Sequence, residues 1–174
     1  EGVLKGLEEK GYKNGENVTI DYQNANNQSA DSDQIAKNMV AKGYNMIIAI
    51  ATPAAVSAYS AAAGTNTNVI FCAVSDPVEA KLVSSLDAPG GNCTGTSDLL
   101  NLEAQLKMIR AFLPESKKIG ILYTTSEANS ASHLAQLKEL APGYGFEIVE
   151  QGVQSAADIP TAAASLAGKV DCIN

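Results

Sequence analysis

The stretch Met46-Ile-Ile-Ala-Ile50, followed by Ala51-Thr52-Pro53 and an alanine-rich run to Ala63, decides the fold class. Its first part is a continuous apolar run, which is typical of a strand buried on both faces of a parallel sheet. Pro53 then stands at an early position of a helix, where the missing N–H costs nothing. A buried strand that leads directly into a helix is the repeating unit of an α/β protein.

The same strand-and-helix unit recurs along the chain. Apolar runs of strand length alternate with stretches in which apolar residues repeat at helical spacing. We predict strands over residues 18–22, 46–50, 69–74, 93–96, 118–123, 146–150 and 170–173. We predict helices over residues 1–10, 33–42, 52–63, 75–85, 99–113, 129–140 and 158–167. The alternation predicts doubly wound parallel sheets with helices on both faces.

A cluster of turn residues over 88–92, followed by the helix after Asp98, divides the chain into two halves. Each half carries its own alternating run of strands and helices, so we expect two α/β lobes, at residues 1–97 and 98–174. The first helix has no strand before it, and the last strand has no element after it. A doubly wound domain rarely begins and ends this way, and we therefore expect the chain to be incomplete at both ends.

Composition excludes several classes of function. The 174 residues are 45% hydrophobic and carry a formal net charge of -7, with Arg110 as the single arginine. Such an acidic chain is a poor partner for nucleic acid or for an anionic membrane surface. No apolar run approaches the ~20 residues that span a bilayer. The three cysteines form no CxxC pair, so we expect buried, inert thiols rather than a metal site or a disulfide framework.

The motifs of common enzymes are absent. The only histidine is His133, on a predicted helix, and no nucleophile or carboxylate partner for it is evident. There is no GxSxG elbow, no P-loop and no GxGxxG sequence. We therefore expect no catalytic residues, no cofactor and no metal ion.

Short polar segments follow the predicted strands, and they form the candidate site. In an alternating strand–helix protein, small ligands are held outside the carboxyl ends of the strands. Any one of these segments alone would be an ordinary helix cap, but their recurrence at one structural location favours a cleft. The candidate ligand-binding residues are Thr52, Pro53, Ser75, Asp76, Ser97, Asp98, Ser126, Glu127, Asn129 and Ser130.

The residue types at these positions suit an α-amino acid. Thr52, Ser75 and Ser126 stand where a strand ends and a helix is predicted to begin, and free N–H groups at helix starts attract a carboxylate. Asp76 precedes a proline and could serve as a helix cap. Asp98 has no basic neighbour in sequence, and a carboxylate at a cleft mouth is a natural acceptor for a ligand ammonium group.

Several of these motifs, in this order, are found together in one family. They are Tyr22-Gln-Asn-Ala25, Ala49-Ile-Ala-Thr-Pro-Ala-Ala55, Ala73-Val-Ser-Asp-Pro77, Pro89-Gly-Gly-Asn-Cys-Thr-Gly-Thr-Ser-Asp98 and Glu127-Ala-Asn-Ser130. The chain resembles, along its whole length, the ABC-transporter substrate-binding proteins of the tryptophan/tyrosine-uptake type. One departure is Cys93, where the family usually has an apolar β-branched residue.

The resemblance implies a type I periplasmic-binding-protein fold, in which two α/β lobes close on a ligand. It also implies a first lobe from Glu1 to Ser97 and a second from Asp98. Family members begin with a strand before the first helix and continue well past the position of Asn174, with a return to the first lobe. They are periplasmic proteins or lipoproteins of bacteria.

We accordingly expect an extracytoplasmic solute-binding component of an ABC importer, not an enzyme. The expected ligand is a small amino acid, with an aromatic one favoured, and the expected partner is a transporter permease. The complete protein is expected to be monomeric and periplasmic or lipid-anchored. The alternatives are another small polar or amide ligand, an α/β enzyme with catalytic residues in the missing segments, or a ligand-sensing regulatory domain of the same fold.

Overall fold

Two three-stranded parallel sheets organise the chain, which the computed structural model describes over residues Glu1–Asn174. The strands are β1 (Met46–Ile50), β2 (Asn68–Val74), β3 (Cys93–Ser97), β4 (Lys118–Thr124), β5 (Glu147–Val153) and β6 (Cys172–Ile173). The strand order is β1-β2-β3 in the first sheet and β5-β4-β6 in the second. Every pair is parallel, which confirms the predicted α/β class with two parallel-sheet lobes.

Helices connect the strands as the alternation predicts. They are α1 (Gly2–Glu9), α2 (Ser29–Ala41), α3 (Thr52–Ala62), α4 (Leu102–Phe112), α5 (Ala128–Leu140) and α6 (Ile159–Leu166). We call the first sheet with α1–α3 lobe 1, and the second sheet with α4–α6 lobe 2. The predicted division at residues 97 and 98 falls between β3 and α4, and as a domain boundary it stays a prediction.

Each lobe has its own apolar core. In lobe 1, Ile47, Ala49, Val69 and Phe71 pack against the alanine-rich side of α3. In lobe 2, the core is formed by one face of β4 with apolar residues of α4 and α5. The separate cores mean that α3 packs against the sheet of lobe 1, whereas α4 and α5 pack against the sheet of lobe 2.

Lobe 1 covers only one face of its sheet, which differs from the prediction of helices on both faces. Ile47 and Ala49 of β1 are 6% and 5% exposed, whereas Met46, Ile48 and Ile50, on the opposite face, are 50%, 36% and 56% exposed. The alternation follows from the two-residue period of a strand. In lobe 2, by contrast, Gly120 of β4 faces α6, so both faces of that strand are covered.

Two predicted elements of lobe 1 are wrong. Residues 18–22 form no ladder with another strand, and Val18 makes only an isolated bridge to Asn14. A segment of alternating apolar and polar residues forms a strand only when another strand pairs with it, and no strand pairs with this segment. Residues 75–85 form a series of turns rather than a helix, with Lys81 at a φ of 58°. That left-handed residue breaks the helical repeat.

Smaller differences concern element ends and the cysteines. Helix α4 begins at Leu102 rather than residue 99, because the Asn101 side chain caps it by accepting from the Ala104 N–H at 2.9 Å.

Burial is complete for Cys93 and raises its pKa. Cys72 and Cys172 are only half-buried, so the expectation of buried thiols is wrong for them. Cys72 lies on the sheet face that no helix covers.

The single arginine is a structural residue of lobe 2. Arg110, in the last turn of α4, donates to the carbonyl oxygens of Pro114, Ser116, Tyr144 and Gly145 at 2.8, 2.7, 2.9 and 3.2 Å. Its guanidinium also lies 3.9 Å from the ring centroid of Phe146. It therefore ties the end of α4 to the turn that leads into β5.

Gly95 is required by the close approach of β3 to β2. A Cβ atom at this position would overlap the carbonyl oxygen of Phe71 and lie 2.6 Å from its ring. Phe71 is itself in the core of lobe 1 and only 4% exposed, so it has little room to move. The glycine thus lets the two strands pair in this register.

The substitution Gly95→Ala is expected to destabilise lobe 1 by about 1–3 kcal/mol, the usual cost of overpacking a core. The measurement is the urea midpoint of the unfolding transition. The control is Gly6→Ala in α1, where nothing lies within 4 Å of the new Cβ. That variant should be neutral or more stable, because alanine favours a helix. An unchanged midpoint for Gly95→Ala would contradict the close approach.

Candidate functional site

Polar residues follow the carboxyl ends of the strands, as the sequence predicts. Thr52 comes directly after the β1–α3 junction, Ser75 follows β2, and Asp98 follows β3. Parallel strands of one sheet end at the same edge, so these three residues share one edge of lobe 1. Ser126 follows β4 at the corresponding edge of lobe 2.

A single residue turns the chain from β1 into α3. The Ala51 N–H donates to the Cys72 carbonyl of β2 at 2.9 Å, and the Ala51 carbonyl accepts from the Ala55 N–H at 3.1 Å. Thr52, the first helical residue, is 3% exposed, and Pro53 follows it at an early position of the helix. The start of α3 is therefore packed closely against the sheet edge.

The ends of β2 and β3 are held together. The Ser97 hydroxyl donates to the Ser75 carbonyl at 3.3 Å, and the Asp98 N–H donates to the Val74 carbonyl at 3.3 Å. Ser75 is 9% exposed. The structure thus brings Ser75, Ser97 and Asp98 into one small group at the edge of lobe 1.

The two candidate aspartates differ in their availability. Asp76 caps the turn that follows it, because its Oδ1 atom accepts from the Glu79 N–H at 2.9 Å. Asp98 is exposed, and its carboxylate takes part in none of the ion pairs or side-chain hydrogen bonds of the chain. Asp98 is accordingly the better placed of the two to accept a hydrogen bond from a ligand.

The lobe 2 residues lie at the start of α5. Glu127 is the N-cap residue, and its Oε2 atom accepts from the Ser130 hydroxyl at 3.4 Å. The side-chain Oδ1 atom of Asn129 is buried and has no hydrogen-bond partner. A buried polar atom without a partner is uncommon and needs an explanation. Ser126 precedes the group and is exposed.

A groove lies away from these edges, between α2 and the segment before it. It has a volume of about 330 Å³ and is lined by Asp21, Gln23, Ile35, Asn38, Met39, Ala41 and Lys42. None of the candidate site residues lines it. The groove lies between the segment 18–23 and α2. It is therefore formed where that segment packs on the helix, and not at the edge where the strands end.

A hydrogen-bonded carboxylate closes one end of this groove. Asp21 accepts from Gln23 Nε2 at 2.8 Å, from Lys42 Nζ at 2.9 Å and from the Tyr44 hydroxyl at 2.9 Å. These bonds, that of Gln23 first, lower the pKa of Asp21 from 3.8 to about 2. The partners lie up to 23 residues away in sequence, and no sequence pattern pointed to this cluster.

Two further findings concern metal sites and membranes. No three side chains of His, Cys, Asp or Glu come together in a way that could hold a metal ion. No helix of the chain combines the length and the apolar character that crossing a membrane would need.

The family of the chain follows from its similarity to known proteins. Residues 1–174 match the family described as ABC transporter substrate binding protein. The chain belongs to this family. A tyrosine-binding protein of Clostridioides difficile strain R20291 is 42% identical over 172 residues, which are 99% of this chain and 49% of that protein. The chain therefore spans about half the length of this curated relative.

Two solved structures of this kind differ in how well they superimpose. The ABC domain of Streptococcus pneumonia in complex with L-Trp is 37% identical, with a TM-score of 0.93 over 99% of this chain and 57% of that one. A ligand-free, open structure of a Clostridium difficile substrate-binding protein with adhesive properties is 40% identical and covers 99% of this chain and 58% of that one, but its TM-score is 0.64.

The two TM-scores compare this chain as a whole with each relative. A value of 0.93 over nearly the whole chain requires both lobes to superimpose at once on the L-Trp complex. The open structure is just as similar in sequence, yet it does not superimpose in this way. The two lobes of this chain are thus arranged as in the ligand-bound relative.

Asp21→Asn is expected to lower the stability of the protein at pH 7, because the amide loses the charge that Gln23, Lys42 and Tyr44 stabilise. The folded-state pKa of Asp21, about 2, lies below its ordinary value of 3.8. This stability is therefore present above pH 3.8 and is lost as the pH falls through 2. The measurement is the urea midpoint of parent and variant at pH 7 and near pH 2.

The matched control is Asp87→Asn, an exposed turn residue without an ion pair. It should leave the midpoint nearly unchanged at both pH values. An equal difference between parent and Asp21→Asn at pH 7 and pH 2 would show that the ionised carboxylate is not the source of the stability.

Proposed function

We propose that the protein containing this chain is the extracytoplasmic solute-binding component of an ABC importer. Its proposed ligand is an amino acid, with an aromatic one favoured, held in the cleft between the two lobes. The observation that carries the proposal is the superposition of the whole chain on an L-Trp complex with a TM-score of 0.93. The curated relative, at 42% identity, is named a tyrosine-binding protein, and this name supports an aromatic ligand.

The chemistry of the two edges supports an α-amino acid. In lobe 1, the exposed carboxylate of Asp98 can accept from the ligand ammonium group. The N-termini of α3 and α5 carry free N–H groups that attract a carboxylate. Asn129 offers both a donor and an unpaired acceptor on one amide group, so it can bind a ligand group of either polarity.

The remaining parts of the proposal follow from the family. The protein binds its ligand without converting it, and it needs neither a cofactor nor a metal ion. Its partner is the permease of the importer, and it is monomeric when complete. It lies in the periplasm or is lipid-anchored at the outer face of the bacterial cytoplasmic membrane.

Calorimetric titration of the full-length protein tests the proposal. The probes are L-tryptophan, L-tyrosine and L-phenylalanine, with D-glucose as the negative control. We expect saturable binding of at least one aromatic amino acid, which is recovered unchanged after incubation. Conversion of the amino acid would favour an α/β enzyme. Absence of binding to all three would overturn the ligand assignment and favour another small polar ligand or a sensing role.

Asp98→Asn in the full-length protein is expected to weaken amino acid binding by about 1.5–3 kcal/mol, the scale of a hydrogen bond to a charged group. The physical reason is loss of the negative charge that faces the ligand ammonium. The control is Glu115→Gln, an exposed carboxylate at the opposite, amino-terminal end of β4. Unchanged affinity in Asp98→Asn would remove Asp98 from the site.

Asn129→Ala is expected to weaken binding of an amino acid more than binding of its primary amide. The reason is that the Asn129 side chain and the start of α5 donate to the ligand carboxylate, whose charge strengthens the bonds. The measurement compares tryptophan with tryptophan amide by calorimetry. Ser130→Ala should show a smaller effect of the same sign, since its hydroxyl already donates to Glu127. Equal losses for acid and amide would show that these residues do not contact the carboxylate.

A further inference from the structure

The backbone of lobe 1 is in a left-handed conformation at several residues other than glycine. These residues are Asn26, Asn27, Ala51, Ala73 and Lys81. Asparagine tolerates this conformation because its short polar side chain can hydrogen-bond locally. An alanine has no such compensation. Both alanines lie at the carboxyl end of a strand, one just after β1 and the other just before the last residue of β2.

Ala51 makes the strand-to-helix turn in one residue. Its φ and ψ are 72° and 159°, a region that is essentially restricted to glycine. Its N–H still belongs to the β1–β2 ladder, while its carbonyl already accepts from Ala55 in α3. A residue with ordinary extended dihedral angles at this position would continue β1 in the same direction. The conformation of Ala51 therefore determines where Thr52 and the start of α3 lie.

Ala73 shifts the register between β2 and β3. Phe71 pairs with Gly95, and an unbroken ladder would then pair Val74 with Asp98, but Val74 pairs with Ser97 instead. The irregularity falls between Phe71 and Val74, where Ala73 has a φ of 53°. A shift of one residue exchanges the faces of a strand. The conformation of Ala73 therefore decides which way Ser75 and Asp98 point relative to each other.

We propose that Ala51 and Ala73 are positioning residues of the ligand site, an inference that rests on the function proposed above. Their left-handed conformations fix Thr52, Ser75 and Asp98 in the arrangement that receives the ligand. An alanine adopts such a conformation only at a cost, so the hydrogen bonds and the packing around each turn must hold it there. The site is thereby ordered before the ligand arrives, and binding does not have to order it.

The test substitutes glycine for each alanine in the full-length protein. Ala51→Gly and Ala73→Gly relieve the left-handed conformation, so the urea midpoint without ligand should be unchanged or higher. Affinity for L-tryptophan or L-tyrosine should nevertheless fall about five-fold, because glycine also adopts backbone conformations that alanine cannot, and the ligand must then select one of them. Lys81→Gly is the matched control, since Lys81 has a φ of 58° in the turn after Ser75. It should change the midpoint in the same direction and leave the affinity unchanged.

Amide hydrogen exchange without ligand supplies an independent measurement. Exchange at Ala55, whose N–H donates to Ala51, should become several-fold faster in Ala51→Gly. Exchange at Asp98, whose N–H donates to Val74, should become faster in Ala73→Gly. Lys81→Gly should affect neither amide.

The possible outcomes distinguish failure of the positioning role from failure of the proposed function. Unchanged affinity and unchanged exchange in both alanine variants would overturn the positioning role. A fall in affinity that only follows a fall in the urea midpoint would also overturn it, because the effect would then be general destabilisation. If the parent protein bound none of the aromatic amino acids, the proposed function would fail. The exchange rates would still show whether the two alanines hold the edge of the sheet.

Discussion

The pairing of β2 with β3 depends on the absence of a side chain at Gly95. Any Cβ there would overlap the backbone of Phe71, which is buried in the core of lobe 1. Because the two strands can approach at this point, the register shift at Ala73 can follow, and Ser97 can pair with Val74. The hydrogen bonds that gather Ser75, Ser97 and Asp98 then form at the end of the ladder. One steric requirement in the core thus fixes the geometry of an exposed edge.

Local sequence patterns were sufficient to predict the bounds of elements whose ends are marked by the neighbouring residues. The bounds of β1 match the prediction because its apolar run is flanked by clear breaks, and α3 begins at Thr52 as the following proline indicates. Residues 18–22 were mispredicted because a strand exists only when another strand lies beside it, and this is a property of the whole sheet. Residues 75–85 were mispredicted because the left-handed Lys81 cannot be identified from its residue type.

In the candidate site, too, some features could be predicted from local sequence, and others depend on the whole fold. Thr52, Ser75, Asp98 and Ser126 were chosen as candidates from the rule that ligands bind at the carboxyl ends of parallel strands, and the structure places them after those ends. The sequence could not show that the Asn129 Oδ1 atom has no hydrogen-bond partner. It also could not show that the Asp98 carboxylate makes no ion pair, since both properties depend on which groups lie nearby in the fold. Ala51 and Ala73 were missed because an alanine gives no sign of an unusual backbone conformation. A glycine or asparagine at either position would have given such a sign.

The position of Arg110 has an electrostatic consequence for ligand choice. The only guanidinium of the chain binds four carbonyl groups at the end of α4, so it is not available to the site residues. The candidate residues include Asp76, Asp98 and Glu127 but no lysine or arginine. In the proposed site, the charge of a ligand carboxylate would therefore be met by the N–H dipoles of this chain rather than by a cation. The proposed site would therefore suit a zwitterion, whereas the second carboxylate of a dicarboxylic amino acid would add negative charge beside these acidic groups.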